Sequence, residues 1–530
     1  MHERFDAAAS RYPDQTIAFP GEDERLTYRE LAETSRRMAG ALHDAGARDV
    51  VGVLCPNNTA FLQGVLAASR LGAAACPLPL PMGLRDLEGY VRRTRKIIAT
   101  AGLTHLVTVP RMKPITEHLD VTAHEAETLV LGEDREFPAV PIDATAVLQF
   151  TSGSTSDPKG VVLTHRNVLS CAESITKAIA IKPEDGWGSW LPLFHDMGLF
   201  GTLTGLFNGI PLTLWSPADF VKSPGAWLRQ FAAVKATICA MPNFGYDYLT
   251  TTVSTETLAE LDLAHWRVAF NGAESIGVRS LEAFLEHYSL AGFRPEAMTP
   301  AYGMAEATLV VTLPPLDRPP VVEWCDRVAL TEKGVALPVP ADHPDARGLV
   351  GLGLAVPGMA CRIGDGLPDG TVGEVQVRGG AVTGGYLGGG SDPFTADGWL
   401  RTGDLGYLRE GELYFTGRSK EMITLRGVNV YPLDVEAVAR EVAGVHQQRC
   451  VAFALLDDGV EKIVLCAETR LSDEDERAAL RKAIAVRCAV DLGLPEVDVR
   501  LVKPRTIPRT TSGKLQRLGM RDLMKAEATR

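Results

Sequence analysis

LQFTSGSTSDPKGVV, residues 148–162, begins as a strand end in Leu148, Gln149 and Phe150. It then runs without a break through Thr151, Ser152, Gly153, Ser154, Thr155, Ser156 and Asp157 to Pro158, Lys159 and Gly160. Gly153 and Gly160 let the backbone turn and expose its N–H groups, and the hydroxyls add donors that can wrap a polyphosphate. Lys159 adds a point charge. The stretch therefore implies a phosphate-holding loop, with a Ser/Thr-rich surface loop as the alternative when it is taken alone. The nucleotide P-loop is excluded, because the lysine precedes the second glycine and Val161 follows. Thr164 is expected to cap a helix running through Asn167 to Ile179, so that residues 151–160 join a strand to a helix.

Upstream, residues 26–46 carry Leu31, Met38, Leu42 and Ala45 behind Thr27, with Glu30 three positions on. This predicts a helix opened by a capping box. A strand ending at Pro56, a helix over 59–71, the strand AAACPLPLP, a helix over 89–101 and the strand THLVTV follow. Such alternation predicts a parallel sheet with helical crossovers. No repeat of solenoid period is present.

Downstream, WLPLFHDMGL places His195 and Asp196 after an apolar strand. A histidine satisfied by its neighbour is an equal alternative there. Residues 227–236 read as a helix, and ATICAMPNFGYDYL as a buried strand turning at Pro242. RVAFNGAESI reads as a strand ending in a small-residue turn. MTPAYGMAEATLVV offers the Tyr302 ring for stacking, Gly303 for close backbone approach and Glu306 as a hard oxygen ligand. A glutamate buried among Met304, Ala305, Ala307 and Leu309 is costly unless paired. WLRTGDLGYLREGELYFTGRSKEMITLRGVNVYP holds Asp404, whose two oxygens could take a pair of hydroxyls, and Arg418 in a polar turn. Residues 422–530 read as a small α+β domain ending in PRTIPRTTSGKLQR, where Thr510, Thr511, Ser512 and Gly513 deliver Lys514. Charge patterning alone would make that end a basic tail.

The chain has 530 residues, 45% hydrophobic and 23% charged, enough for a large core and two or more domains. A net charge of −12 without a long basic run argues against nucleic acid as a partner. Nine cysteines, an odd number with no C-x-x-C pair, suit reduced thiols in the cytoplasm. The N-terminus lacks a signal-peptide core, and no apolar run reaches the roughly 18 residues of a membrane span.

Together these motifs resemble the adenylate-forming, AMP-binding superfamily of acyl-CoA synthetases, peptide-synthetase adenylation domains and fatty acyl-AMP ligases. The resemblance covers nearly the whole chain. It implies an α/β fold: a large N-terminal domain over 1–417, a hinge at 418–421 with Lys420, and a mobile α+β lid over 422–530. It also implies ATP and Mg2+. Nucleotide contacts would come from Thr151, Ser152, Gly153, Ser154, Thr155 and Lys159, and from Gly272, Ala273 and Glu274. Tyr302, Gly303, Met304, Ala305, Asp404, Arg418 and Lys514 would complete them. Metal would fall to Glu306 and Thr151, and catalysis to Lys514, Glu306 and His195. The acyl pocket would be walled by His195, Leu199, Phe200, Asn243, Gly272 and Met304, with Phe194 facing the tail.

Ala305 stands where most of the superfamily has threonine, and with NGAE, HDMGL and EAT it is similar to the fatty acyl-AMP ligase branch. The interval from Glu306 to Glu374 also exceeds that of ordinary acyl-CoA ligases, and such a segment implies a small domain kept from the CoA-using pose. The alternative is a tolerated surface insertion. The activity implied is activation of a carboxylic, lipophilic acid to acyl-AMP. The acceptor would be an acyl carrier protein or a separate transferring enzyme. A complete acyl-CoA ligase and a non-catalytic binding homologue are the alternatives; the second should lack Lys514 or Glu306, and both are present.

Overall fold

The computed structural model describes residues 1–81, 87–151, 159–389, 392–425, 428–457, 460–494, 496–510 and 513–528. The capping box at Thr27 starts the first long helix, Tyr28–Asp44: the Glu30 N–H donates to Thr27 Oγ1, and the Thr27 N–H donates to Glu30 Oε2 at 2.7 Å. Helix Thr59–Leu71 begins where expected, capped by Asn58, and is buried over nearly its whole length. A helix buried on all faces must lie between layers.

Two sheets form the large domain's centre. One has six strands in the order Thr122–Glu125, His105–Thr108, Val50–Leu54, Ala74–Pro77, Thr145–Thr151 and Lys159–Thr164. Its first five strands are parallel, as the alternation predicts. The other has seven strands and places Val268–Gly272, Ile238–Pro242 and Trp187–Ser189 side by side and parallel.

The expected strand-to-helix link at residues 151–160 is not what forms. Thr145–Thr151 and Lys159–Thr164 pair antiparallel, with Thr151 opposite Lys159, so the loop closes a hairpin. Val161, Val162 and Leu163 favour the extended ladder. Helix His165–Ala178 starts only after it, with Thr164 and Asn167 forming its capping box. Its N-terminal dipole therefore stands a full strand away from the loop.

An antiparallel sheet follows, Met359–Ile363, Gly373–Gly379, Leu400–Arg409 and Glu412–Arg418. A single 3-10 turn, Ser419–Glu421, leads out of it. The small domain has a sheet of Cys450–Asp457, Val460–Glu468 and Val497–Val502, with helices Pro432–Arg440, Glu474–Leu492 and Arg517–Ala528 against it.

The long interval after Glu306 is folded. Val322–Asp326 pairs with Ala346–Val350, and Cys325, Leu330, Ala336 and Leu349 form a buried cluster with Tyr407, Tyr414 and the small domain's Tyr431. Arg347 binds Asp434 at 2.8 Å and lies over the Tyr431 ring at 4.4 Å. Arg327 donates to the Leu492 carbonyl at 3.3 Å. The nine cysteines are all free. Among the described residues no helix is long and apolar enough to cross a membrane.

Candidate functional site

A cleft of about 3250 Å³ lies between the large and small domains, over the C-terminal ends of the seven-stranded sheet's parallel strands. Open α/β sheets place their ligand crevices at that edge. Of the expected phosphate-loop residues, Ser152, Gly153, Ser154 and Thr155 lie outside the described residues. Thr151 and Lys159 flank them on facing strands, and both line the cleft.

One wall is built around Asp404, 5% exposed. Tyr302 OH donates to its Oδ2 at 2.9 Å and Arg418 Nε donates to its Oδ1 at 3.0 Å. Burial pushes this carboxyl above the usual range, while Arg418 and Tyr302 pull it back. Tyr302 is itself buried and engaged, so its hydroxyl fixes the carboxylate, a role its aromatic ring did not suggest. Gly303 does approach a backbone closely, but a backbone of the same turn. A Cβ there would fall 1.9 Å from the Leu309 carbonyl oxygen.

That turn presents Glu306. It sits in the 3-10 turn Ala305–Ala307 and is half-buried, where the sequence suggested full burial. Thr308 follows at φ 63 and Ala273 closes the neighbouring strand at φ 67. Side chains held in that region signal strain maintained by their surroundings, a frequent mark of binding sites. Tyr386 OH donates to Glu306 Oε1 at 2.8 Å, and Lys159 Nζ lies 5.1 Å from the Tyr386 ring centre. The Leu387 N–H donates to the Gly160 carbonyl at 2.8 Å and ties this segment to the hairpin. Sequence reasoning missed Tyr386. Its setting between glycines in GGYLGGG was the available signal.

The small domain contributes Lys514. Its N–H donates to Thr510 Oγ1 at 3.1 Å, and Gly513, at φ 89, brings the loop against Phe244 of the large domain. The Phe244 N–H donates to Glu274 Oε1 at 2.6 Å. Desolvation lowers the Lys514 pKa, opposed by the charges of Asp196 and Glu274; desolvation raises that of Glu274. Lys420 lies in the connecting turn and also lines the cleft.

His195 lies at the N-terminus of helix Asp196–Asn208, its ring 4.9 Å from Phe194. Gln149, at the end of its strand, donates to the Phe194 carbonyl at 2.9 Å. Asn243 and Met304 reach the cleft; Asn243 is held by Asp247 at 3.1 Å and Ser280 at 3.0 Å. Leu199 and Phe200 do not reach it. They are 0% and 2% exposed in the core, and Met197 and Gly201 face the cleft instead. Positions four apart share a helix face, and positions 199 and 200 fall on another.

Among the described residues no three His, Cys, Asp or Glu side chains cluster as a metal cage. Glu306 and Thr151 both line the cleft, and one carboxylate with a hydroxyl is the donor chemistry that suits magnesium, which takes one or two carboxylates with substrate phosphates and water supplying the rest.

A large cleft between two α/β domains, lined from the second domain by Lys514, is the arrangement of an adenylate-forming fold. The chain belongs to the AMP-binding enzyme family, matching it over residues 5–387 and the AMP-binding enzyme C-terminal domain over 427–520. It is 32% identical to a medium-chain-fatty-acid–[acyl-carrier-protein] ligase, JamA, of Moorena producens, covering 94% of this chain and 89% of the relative. It is also 32% identical to a 4-hydroxyphenylalkanoate adenylyltransferase of Mycobacterium tuberculosis, over 96% and 89%. A solved structure from work on fatty acyl-adenylate ligases from E. coli and L. pneumophila superposes with a TM-score of 0.94. Identity there is 30%, with 100% of this chain and 98% of that one covered.

Proposed function

We propose that the protein uses ATP to convert a fatty or other lipophilic carboxylic acid to acyl-adenylate with release of pyrophosphate. The acyl group then passes to a carrier protein's phosphopantetheine or to a separate transferring enzyme. The observation that carries the reading is Lys514, brought by the small domain into the cleft that also holds Asp404, Tyr302 and Glu306. The ligase names of its relatives support it. Free buried thiols suit a cytoplasmic enzyme.

The reaction joins two anions. A carboxylate oxygen attacks the α-phosphorus, the bond from that phosphorus to the β-bridging oxygen breaks, and pyrophosphate leaves with the electron pair. The protein's work is therefore positioning and charge stabilisation. Lys514 holds the carboxylate and α-phosphate together, and Lys159 with the backbone of residues 151–160 holds the outer phosphates. Asp404, oriented by Tyr302 and Arg418, takes the ribose hydroxyls, and the turn Gly272, Ala273, Glu274 borders the adenine. Tyr386 orients Glu306. Magnesium, when bound through Glu306 and Thr151, supplies neutralisation of the phosphate charge. His195 walls the carboxylate, and the turn at Lys420 is the hinge between residues 1–417 and 422–530.

The test is pyrophosphate release over a panel of free acids, with acyl-AMP identified as product. Acid-dependent release without added thiol is expected. ATP hydrolysis that ignores the acid would overturn the proposal.

A further inference from the structure

The cleft runs from the reacting end down into the large domain, and sheet register measures its depth. Pro242 pairs with Gly272, Ala240 with Phe270, and Ile238 with both Val268 and Trp187. Paired residues of parallel strands and their i+2 neighbours point to one face, so Trp187, Ala240 and Phe270 share it. The Trp187 and Phe270 rings are 6.3 Å apart and tilted by 37°. Helix Asp196–Asn208 meets this pair with bare backbone: a Cβ on Gly201 would fall 2.5 Å from Trp187 Cζ2. Ile175 and Trp187 are both 2% exposed and Phe270 is 7% exposed, yet all three line the cleft.

Two independent rulers give the distance. From the Pro242 and Gly272 level to Trp187 is about four residues of strand, or about 13 Å. From His195 to Gly201 is about six residues of helix, or about 9 Å. An extended alkyl chain advances about 1.25 Å per carbon, given its C–C bonds of about 1.5 Å.

We propose that Trp187, with Phe270 beside it, is the floor of the acyl pocket. It restricts the acid to a straight chain of roughly eight to eleven carbons. The proposal rests on the acyl-adenylation reading above. Longer acids meet the indole before their carboxylate reaches Lys514; shorter ones leave apolar wall uncovered. A hydrophobic pocket discriminates by roughly 10-fold or more per methylene it must reject or leave unfilled.

The experiment measures acid-dependent pyrophosphate release for straight-chain acids of graded length, from butanoic to hexadecanoic, with wild type and Trp187→Ala. Wild type is expected to peak at octanoic to decanoic acid and to lose about 10³-fold or more by tetradecanoic acid, which exceeds the pocket by about three methylenes. Trp187→Ala should move the peak to longer acids and raise KM for the short ones. The wild-type profile needs no variant and stands if Trp187→Ala fails to fold. Equal turnover of decanoic and hexadecanoic acids by wild type, or a folded Trp187→Ala with an unmoved peak, would overturn the floor while leaving adenylation intact. No release with any acid would overturn both.

Discussion

In the proposed mechanism the chemistry concentrates on Lys514, and its setting gives two expectations. Removing one preorganised donor to developing charge reduces turnover by roughly 10²- to 10³-fold, so Lys514→Ala should lose that much acyl-AMP formation while still binding ATP. Near-normal adenylation by that variant would remove the lysine from the mechanism. Because desolvation lowers its pKa, Lys514 should also lose its proton below the pH of an ordinary lysine. The sign follows: in the proposed mechanism protonated Lys514 bridges two anions, so kcat/KM falls as pH rises through the free enzyme's lowered value. Lys514→Arg should push that alkaline limb upward, whatever its absolute rate, since arginine keeps its charge. Glu306 and Asp404 separate differently. Glu306→Gln acts on the reacting phosphates and should lower kcat, with a changed magnesium dependence; Asp404→Ala acts on remote ribose binding and should mainly raise KM for ATP. Effects confined to the acid dependence would displace the nucleotide from this wall. Asp404, Arg418 and Lys514 were legible as motif residues. Tyr386, which binds Glu306, and Phe244, whose N–H binds Glu274, were not, because each meets the site through a contact far away in sequence.

At the scale of elements, local signals were read well where they are local. Thr27 with Glu30, and Thr164, opened the helices expected of them, since a cap is written within four residues; that Asn167 completes a capping box at Thr164 is seen only in the structure. The hairpin around residues 151–160 was misread because strand pairing is a choice among partners, which a run such as KGVVLT does not name. Leu199 and Phe200 were misassigned because an apolar helix shows no face until its neighbours are known. A paired measurement tests the distinction between scaffold and site. Thr27→Ala should destabilise by about 1 kcal/mol and leave kcat unchanged, as expected for a lost cap remote from the cleft. Gly303→Ala must move the Leu309 carbonyl and the turn carrying Glu306, so it should lower turnover well beyond any loss of Tm. Thermal denaturation and acid-dependent pyrophosphate release on both variants decide it. Equal loss of activity in the two would mean that the Gly303 turn serves only the fold.

For the whole molecule the question is which domain pose is populated. The hairpin Val322–Asp326 and Ala346–Val350 touches the small domain through Arg347 to Asp434, Arg347 over Tyr431, and Arg327 to the Leu492 carbonyl. These contacts belong to the pose that places Lys514 in the cleft, and the segment is folded against both domains, where its length alone left a loose surface insertion open. A second pose disfavoured by about 3 kcal/mol is occupied about once in 150 and supports little second chemistry. Wild type should therefore release or hand on acyl-AMP and make little acyl-CoA even with CoA in excess. Substituting Arg347 and Asp434 together by alanine, which leaves neither charge buried alone, should raise the acyl-CoA fraction without slowing acyl-AMP formation. A deletion inside residues 321–337 should do so more strongly, with some loss of stability from uncovering Tyr407, Tyr414 and Tyr431. Acyl-AMP and acyl-CoA measured side by side for the three proteins give the answer. Brisk thioester formation by wild type would make this a complete acyl-CoA ligase, and a product ratio unmoved by either change would reduce the hairpin to packing.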